Sequence, residues 1–390
     1  MTTDRKPELC KRLNCTYCNA CSSACKHAAI SFVSDDYGFS HPIVNNEKCV
    51  GCGLCEASCP VLNPLENSNN LTPDIFALYS KDEKNVSKSS SGGVFYELAQ
   101  SVIADGGCVF GVVSSEGCFK YECAETLDEV LPMRGSKYVQ AEMNDALLLA
   151  KKKLVEGRKV LFSGTPCQVA ALRRILRNDY SNLLLTVEVI CHGVPSQSIF
   201  DRCMNLNGIP KEARKYVSFR DTRVWNFLTR YTNETIPHSL KFLFFKNDIY
   251  MRLFMKTAIY KPICYQCPFA RIPRVADMTI GDFWGVKNTD TFKKNQHGTS
   301  VLLLNTKEAH ITWEKVKYNF IAEKRDLSEA TNENPNLIRP TYLPADRDRI
   351  LEDLFSLDKK AFVKKYHLQL TLRNVVGFMK RRIKSLYAPK

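Results

Sequence analysis

Short apolar runs alternate with stretches of helical periodicity through the middle of the chain. Ile75 to Tyr79, Val109 to Val113, Val160 to Phe162, Leu183 to Ile190 and Val301 to Leu304 are strand-length and mostly apolar. Between them Tyr96 to Ala104, Asp145 to Glu156 and Val169 to Leu176 repeat their apolar positions at helical spacing. Such alternation predicts an α/β domain. Near the start, Ala29, Ile30, Phe32 and Val33 predict a strand, Asp35-Asp36-Tyr37-Gly38 a turn, and a second short strand follows. Asn63 to Asn70 is polar and rich in turn formers, which makes it a linker. Residues 307–390 are expected to be mostly helical, broken around Pro335, Pro340 and Pro344. The expected organisation is a small unit at 1–66, a main α/β domain at 74–310 and a helical region at 311–390.

Composition changes this picture in two places. The chain has 390 residues, too many for one ordinary core. Its formal charge is +14, but residues 359–390 hold ten Lys and Arg and no acid, so the rest carries only +4. A nearly balanced body gives no electrostatic footprint for nucleic acid. No run of 18 apolar residues occurs and no apolar leader precedes the first cysteines. A cytoplasmic protein is therefore expected.

The second departure is 17 cysteines, nine of them before residue 60. In a reducing compartment such clustering points to metal rather than disulfides. Cys15, Cys18, Cys21 and Cys25 are spaced C-x2-C-x2-C-x3-C; Cys49, Cys52, Cys55 and Cys59 repeat the spacing, with Pro60 after the last. Three thiolates two residues apart wrap one cubane on a tight loop, and the fourth, at a helix start, reaches the other cluster. This assigns Cys15, Cys18, Cys21 and Cys59 to one 4Fe–4S cluster, and Cys49, Cys52, Cys55 and Cys25 to a second. Gly51 and Gly53 let the second loop approach its cluster closely. Lys26 stands where a proline is expected after Cys25. Paired zinc knuckles fit two four-cysteine runs poorly.

Four later cysteines form another constellation. Cys167 follows the strand 160–162, Cys191 follows the strand ending at Ile190, and Cys264 and Cys267 make a C-x-x-C. Two thiols at strand ends beside that loop supply four sulfurs at one sheet edge, for a third 4Fe–4S cluster or for structural zinc. A lone strand-end cysteine is equally a small buried hydrophobe, and a lone C-x-x-C a redox dithiol. Cys10, Cys108, Cys118, Cys123 and Cys203 read as ordinary thiols.

Several stretches together resemble a known family. They are Ser91-Gly92-Gly93, Ser136-Lys137-Tyr138-Val139-Gln140, Gly164-Thr165-Pro166-Cys167-Gln168, Cys191-His192-Gly193-Val194-Pro195, Cys264-Tyr265-Gln266-Cys267-Pro268-Phe269-Ala270 and Ala276 to Gly285. The family is that of the beta subunits of coenzyme F420 hydrogenases and dehydrogenases, and the resemblance runs to about residue 310. It implies FAD in the central domain and a cluster on the later cysteines. It also implies a cofactor site at Ser91, Gly92, Gly93, Lys137, Gly164, Thr165, Pro166, Gly193, Gly281, Asp282 and Trp284, with His192, Lys137 and Asp282 as catalytic candidates. The residues suit those roles: Ser91-Gly92-Gly93 offers backbone amides at a helix start for a pyrophosphate, Lys137 a cation, and His192 a proton donor. A plain capped helix, a solvated lysine and a hydrogen-bonded structural histidine are the bland readings. No G-x-G-x-x-G fingerprint and no P-loop occurs.

The fold class expected is thus an α+β ferredoxin-like domain with two 4Fe–4S clusters, then an α/β flavin-binding domain and a helical basic C-terminal tail. In that tail Leu368, Leu372, Val375, Val376, Met379, Ile383 and Leu386 share one helical face opposite basic residues. This suits peripheral contact with an anionic membrane, or packing on the body or a partner. The expected function is flavin-dependent iron–sulfur oxidation or reduction of a small molecule, with a ferredoxin-like or other redox partner and no nucleic acid. By analogy with members encoded beside surface-glycan genes, a polysaccharide-biosynthesis role and a glycan or nucleotide-sugar precursor are expected. Coenzyme F420 as substrate, and a non-catalytic electron-transfer subunit of a larger complex, are the alternatives.

Overall fold

The computed structural model describes residues 6–65, 69, 72–176, 180–221, 225–233, 241–243 and 248–368. The amphipathic basic helix expected beyond Leu368 lies outside the described residues.

The N-terminal unit is built on an antiparallel hairpin, β1 (Ile30–Ser34) and β2 (Ser40–Val44), with short helices at Ala20–Ala24 and Leu54–Ala57. The duplication in the sequence recurs in the backbone. Tyr17 and Asn19 flank Cys18 with φ of 58° and 60°, and Gly51 and Gly53 flank Cys52 with φ of 69° and 71°. Both loops adopt the left-handed conformation at the same places. For Tyr17, a bulky residue, this is strained, and edge-to-face packing on Phe32 at 5.0 Å helps to hold it.

The main domain is an eight-stranded mixed sheet. Its strands are β3 (Asp74–Ser80), β4 (Cys108–Ser115), β5 (Cys118–Ala124), β6 (Val160–Gly164), β7 (Leu184–Val189), and then β11 (Met278–Asp282), β12 (Ser300–Leu304) and β13 (Phe320–Arg325) after a small intervening sheet. The order is β13-β3-β12-β11-β7-β6-β4-β5. The four strands β11, β7, β6 and β4 run parallel, and antiparallel neighbours flank them on both sides. Successive residues face opposite layers, as the pleat requires. Phe110 and Phe162 join one core with Leu147, Leu172 and Phe200, whereas Val109 and Leu161 join another with Leu98, Ala99 and Trp313. Helices therefore cover both faces, which is why β12 is apolar and buried throughout.

Every strand named from the apolar runs is present. β5 and β13 are additions. β5 is joined to β4 by Glu116-Gly117, both at positive φ (54° and 76°), the turn geometry whose twist suits a hairpin. β13 lies in the stretch expected to be helical; it pairs with the free edge of β3 over Phe320–Arg325, so the sheet runs past residue 310. The small antiparallel sheet, β8 (Tyr216–Asp221), β9 (Asn226–Thr232) and β10 (Lys241–Leu243), was likewise not apparent in the apolar pattern.

The two units share a core: Cys18, Ala20 and Phe39 belong to the same buried cluster as Phe110 and Phe162. The turn at Gly38 (φ 78°) comes so close to Ser198 that an added Cβ would lie 2.3 Å from its Oγ. Beneath the parallel strands Asp277 accepts from Arg173 Nη2 (2.8 Å), Thr186 N (2.8 Å), Thr186 Oγ1 (2.6 Å) and Thr306 Oγ1 (3.0 Å). Hydrogen bonds to a charged group are worth roughly 1.5–3 kcal/mol, and orphaned buried donors add to the loss. Asp277→Ala is therefore expected to lower the chemical unfolding midpoint clearly, by a few kcal/mol in free energy, whereas Asp277→Asn recovers part of it.

Candidate redox site

Three cavities lie in a row, and their walls are continuous. The first is lined by Cys15, Cys18, Cys21 and Cys59, with Cys10 beside them. The second is lined by Cys167, Cys191, Cys264 and Cys267. Thr16 belongs to the walls of both. The third is a large cavity of about 780 Å³ above the sheet. It shares Thr165, Cys191, His192, Gly193 and Val194 with the second.

In the first cavity burial pushes the thiols of Cys15, Cys18 and Cys21 up, Cys18 to about 12. Cys59 goes the other way, to about 6, chiefly because the Cys10 thiol hydrogen-bonds to it. Cys10 is thus a neighbour of the cluster set, not the ordinary thiol its sequence position implied. The signal that escaped notice is its place five residues before Cys15, on the loop that folds back over Cys59. Around the second repeat, Cys55 feels Cys25 and Cys49 electrostatically, and Cys25 Sγ accepts from Ala29 N at 3.3 Å.

The four later cysteines reach the second cavity from three separate places. Cys167 sits in the first turn of the helix Pro166–Ile175, where Thr165 caps the start and its hydroxyl contacts Cys167 Sγ at 3.1 Å. Cys191 follows the end of β7. Cys264 and Cys267 lie in and just after the 3-10 turn Pro262–Gln266. All four thiols are pushed up, first by burial and then by one another, Cys264 to about 12. Thiolates here require a cation in their midst. Among the described residues no three His, Cys, Asp or Glu side chains converge tightly enough for one metal ion. Sulfurs spread round a common cavity suit the corners of a cubane better than a single zinc.

The large cavity opens at the carboxyl ends of β6, β7 and β11, the edge where α/β sheets take ligands. Ser91, Gly93, Lys137, Gly164, Thr165, His192, Gly193, Gly281, Asp282 and Trp284 all line it. Gly92 packs instead against β3 and β12, where an added Cβ would lie 2.4 Å from Leu78 O. Pro166 lines the cysteine cavity. Gly193 has φ of 138°, and the Tyr260 ring occupies the space of a side chain there.

Two buried polar atoms on this wall, Ser91 Oγ and Gln140 Oε1, have no hydrogen-bond partner. Ser91 stands before the helix Val94–Ala104, whose first amides face the cavity at Val94 and Phe95. Lys137 Nζ donates to Pro132 O (2.8 Å) and Arg134 O (2.9 Å), and its enclosure deep in the cavity pushes the amine down to about 7. His192 is also held below the ordinary histidine range, by burial against a hydrogen bond to the Asn336 side chain, and is neutral at pH 7. Asp282 is not free for proton transfer. Arg220 clamps it with two hydrogen bonds (2.7 and 3.3 Å), and Trp225 Nε1 donates to it at 2.6 Å. Trp225 stacks on Trp284 with centroids 5.0 Å apart. Arg220 and Trp225 come from β8 and the turn before β9, and no pattern in the sequence linked them to Asp282.

Replacing Cys10 tests its place beside Cys59. Cys10→Ala is expected to retain the iron of the first site and to shift its potential negative, because an S–H donor to a ligand sulfur is lost. Redox titration with iron analysis checks this; loss of the iron would make Cys10 a ligand.

Residues 157–330 match the family for the C terminus of the coenzyme F420 hydrogenase/dehydrogenase beta subunit, and residues 14–63 match the 4Fe-4S dicluster domain. Among curated proteins, a subunit of the F(420)H(2) dehydrogenase of Methanosarcina mazei is 25% identical over 209 residues, which is 50% of this chain and 59% of that relative. The ferredoxin-type protein NapF of Escherichia coli K12 is 37% identical over 54 residues, 14% of this chain and 33% of that protein. A chain of the F420-reducing [NiFe] hydrogenase complex from Methanosarcina barkeri superposes with a TM-score of 0.46 at 17% identity, covering 77% of this chain and 94% of that one. The chain thus spans 59% of the length of the methanogen dehydrogenase protein it matches. Through residues 157–330 it belongs to the beta-subunit family of coenzyme F420 hydrogenases and dehydrogenases, and it carries an iron–sulfur dicluster domain in front.

Proposed function

We propose that this chain is an iron–sulfur flavoprotein oxidoreductase in which the dicluster unit and the α/β unit form one electron route. The observation that carries the reading is the row of cavities with common walls, joined at Thr16 and again at Thr165 and His192. Cys167, Cys191, Cys264 and Cys267 would hold a third 4Fe–4S cluster between the dicluster unit and the large cavity. FAD fits that last cavity: its volume lies in the usual range for cofactor sites, roughly 300–1,000 Å³, and a helix start, Lys137 and two orphaned polar atoms stand on its wall. When bound, clusters carry single electrons and the flavin exchanges pairs.

The chain's own residues divide the remaining work. The helix start and Lys137 bind negative charge. Trp284, stacked on Trp225 and aligned by the Arg220–Asp282 clamp, presents an aromatic wall. Neutral His192 holds a proton at the partition between the cysteines and the cavity. The substrate is a two-electron donor or acceptor. The name of the methanogen relative makes the deazaflavin coenzyme the first candidate; the glycan or nucleotide-sugar precursor rests on analogy alone.

Iron, acid-labile sulfide and flavin counted on protein purified without oxygen test the reading. About twelve irons and one FAD per chain are expected, and Cys264→Ala with Cys267→Ala should remove about four irons and leave the rest. About eight irons and no flavin would leave an electron-carrier subunit as the better account.

Lys137 adds a pH dependence. An anionic cofactor binds the protonated amine, whose pKa in the free chain is about 7. FAD affinity should therefore fall as pH rises above that value, by at most about tenfold per unit for one proton. Lys137→Met should bind more weakly and show no such slope; fluorescence quenching of FAD measures both.

A further inference from the structure

Lys261 lies at the joint between the two cysteine cavities. It is 2% exposed, and it sits three residues before Cys264 on the wall of the second cavity. Its Nζ donates to Ser40 O of the N-terminal unit at 2.7 Å. It also stands over the rings of Tyr17 and Phe39, 5.6 and 5.7 Å from their centroids. The sulfurs that act on it electrostatically come from both sets: Cys15 from the first, Cys264 and Cys167 from the second.

Three cations border the second cavity or act on its sulfurs: Lys261, Arg274 and Arg347. Arg274 pairs with buried Glu188 at 2.5 Å and Arg347 with Asp348 at 2.6 Å. Among the described residues, Lys261 has no carboxylate within ion-pair distance, and one carbonyl is its hydrogen-bond acceptor. A buried ammonium is costly unless an anion compensates it. Its surroundings supply one kind of anion: cysteine sulfur ligated to a cluster. A 4Fe–4S core held by four thiolates is doubly negative, and one-electron reduction makes it triply negative.

We propose that Lys261 is the counter-ion shared by two clusters, the one at Cys15, Cys18, Cys21 and Cys59 and the one at Cys167, Cys191, Cys264 and Cys267. The proposal rests on the third-cluster reading above. Its consequence follows from charge. A fixed cation stabilises the reduced, more negative form of each cluster, so it raises both potentials together. It also makes the two units electrically interdependent, since each cluster set supplies part of the anion that keeps Lys261 buried. The cluster at Cys25, Cys49, Cys52 and Cys55 contributes no sulfur to the charges acting on Lys261 and serves as an internal control.

The test is redox titration of the anaerobically purified full chain, followed by electron paramagnetic resonance, with iron counted for Lys261→Met and Lys261→Arg. The expected result is that Met shifts two of three potentials negative and leaves the third, whereas Arg stays near the wild type. Unmoved potentials in a fully loaded Met variant overturn the proposal. So does an Arg variant that behaves like Met, because shape and not charge would then be at issue. If Met fails to load iron, loading in Arg supports the charge argument and failure in Arg overturns it. A wild-type chain with only about eight irons would overturn the third-cluster reading itself, an outcome distinct from about twelve irons with potentials indifferent to Lys261.

Discussion

Strands β6, β7 and β11 run parallel and stop at the same edge of the sheet, and each must leave it through backbone that has no ladder partner. The chain meets that demand differently at each exit. After β6, Thr165 and Pro166 start a helix at once, and Gln168 turns back to accept from Thr165 N at 2.9 Å. After β7, the chain continues through Ile190, whose N–H donates to Ile280 O of β11 at 2.9 Å, and then turns through Cys191 and Gly193. After β11, Asp282 is fastened by Arg220 and Trp225. Both strand-end thiols, the partition histidine and the aromatic wall are placed by these three exits. The same parallel core that needs covering on both faces therefore also fixes where chemistry can happen.

The parts legible in the sequence were those with a strong local signature. The duplicated cysteine spacing and the apolar runs of β3, β4, β6, β7 and β12 needed no tertiary context. β5 was legible in principle, since Phe119 and Tyr121 alternate with polar neighbours after Glu116-Gly117, and both are buried. β13 was not, because Ile321 faces outward and Phe320 is its one fully buried apolar side chain. Only the open edge of β3 makes it a strand, and an edge partner is a tertiary fact. The site divides in the same way. Cysteines announce themselves by type, whereas Arg220, Trp225 and Lys261 are ordinary residues until the fold sets them against Asp282 or between two sets of sulfurs.

Gly92 and Gly193 show why a motif's residues need not share its role. Both belong to stretches that carry the family resemblance, yet each is glycine because a neighbour fills the space of a side chain: Leu78 O at one, the Tyr260 ring at the other. Their smallness lets strand and loop approach closely enough for Ser91 and His192 to stand at the cavity wall. Asp282 makes the complementary point. An acid in a turn before an aromatic suggests proton chemistry, but a carboxylate bound by a guanidinium and an indole is a stabilised anion with its lone pairs engaged. The titratable groups left at the wall are Lys137 and His192, both shifted by burial toward their neutral forms.

The two joints in the row of cavities are electrically unlike. Between the cysteine cavities stands a buried cation, and between the second cysteine cavity and the large one stands a histidine that burial keeps neutral. A charge at a partition acts on both sides of it, and in a low-dielectric interior it is weakly screened. The first joint therefore couples its two neighbours, so that adding negative charge at one changes the balance at the other. The second joint imposes no such bias at neutral pH, and there Thr165 and His192 separate the cavities by the thickness of side chains. An electron can cross so thin a partition without a fixed charge to trap it on either side, while a neutral imidazole remains able to take up a proton. Coupling of potentials and coupling of protons are thus assigned to different walls by the same physical quantity, the charge that each wall can keep when buried.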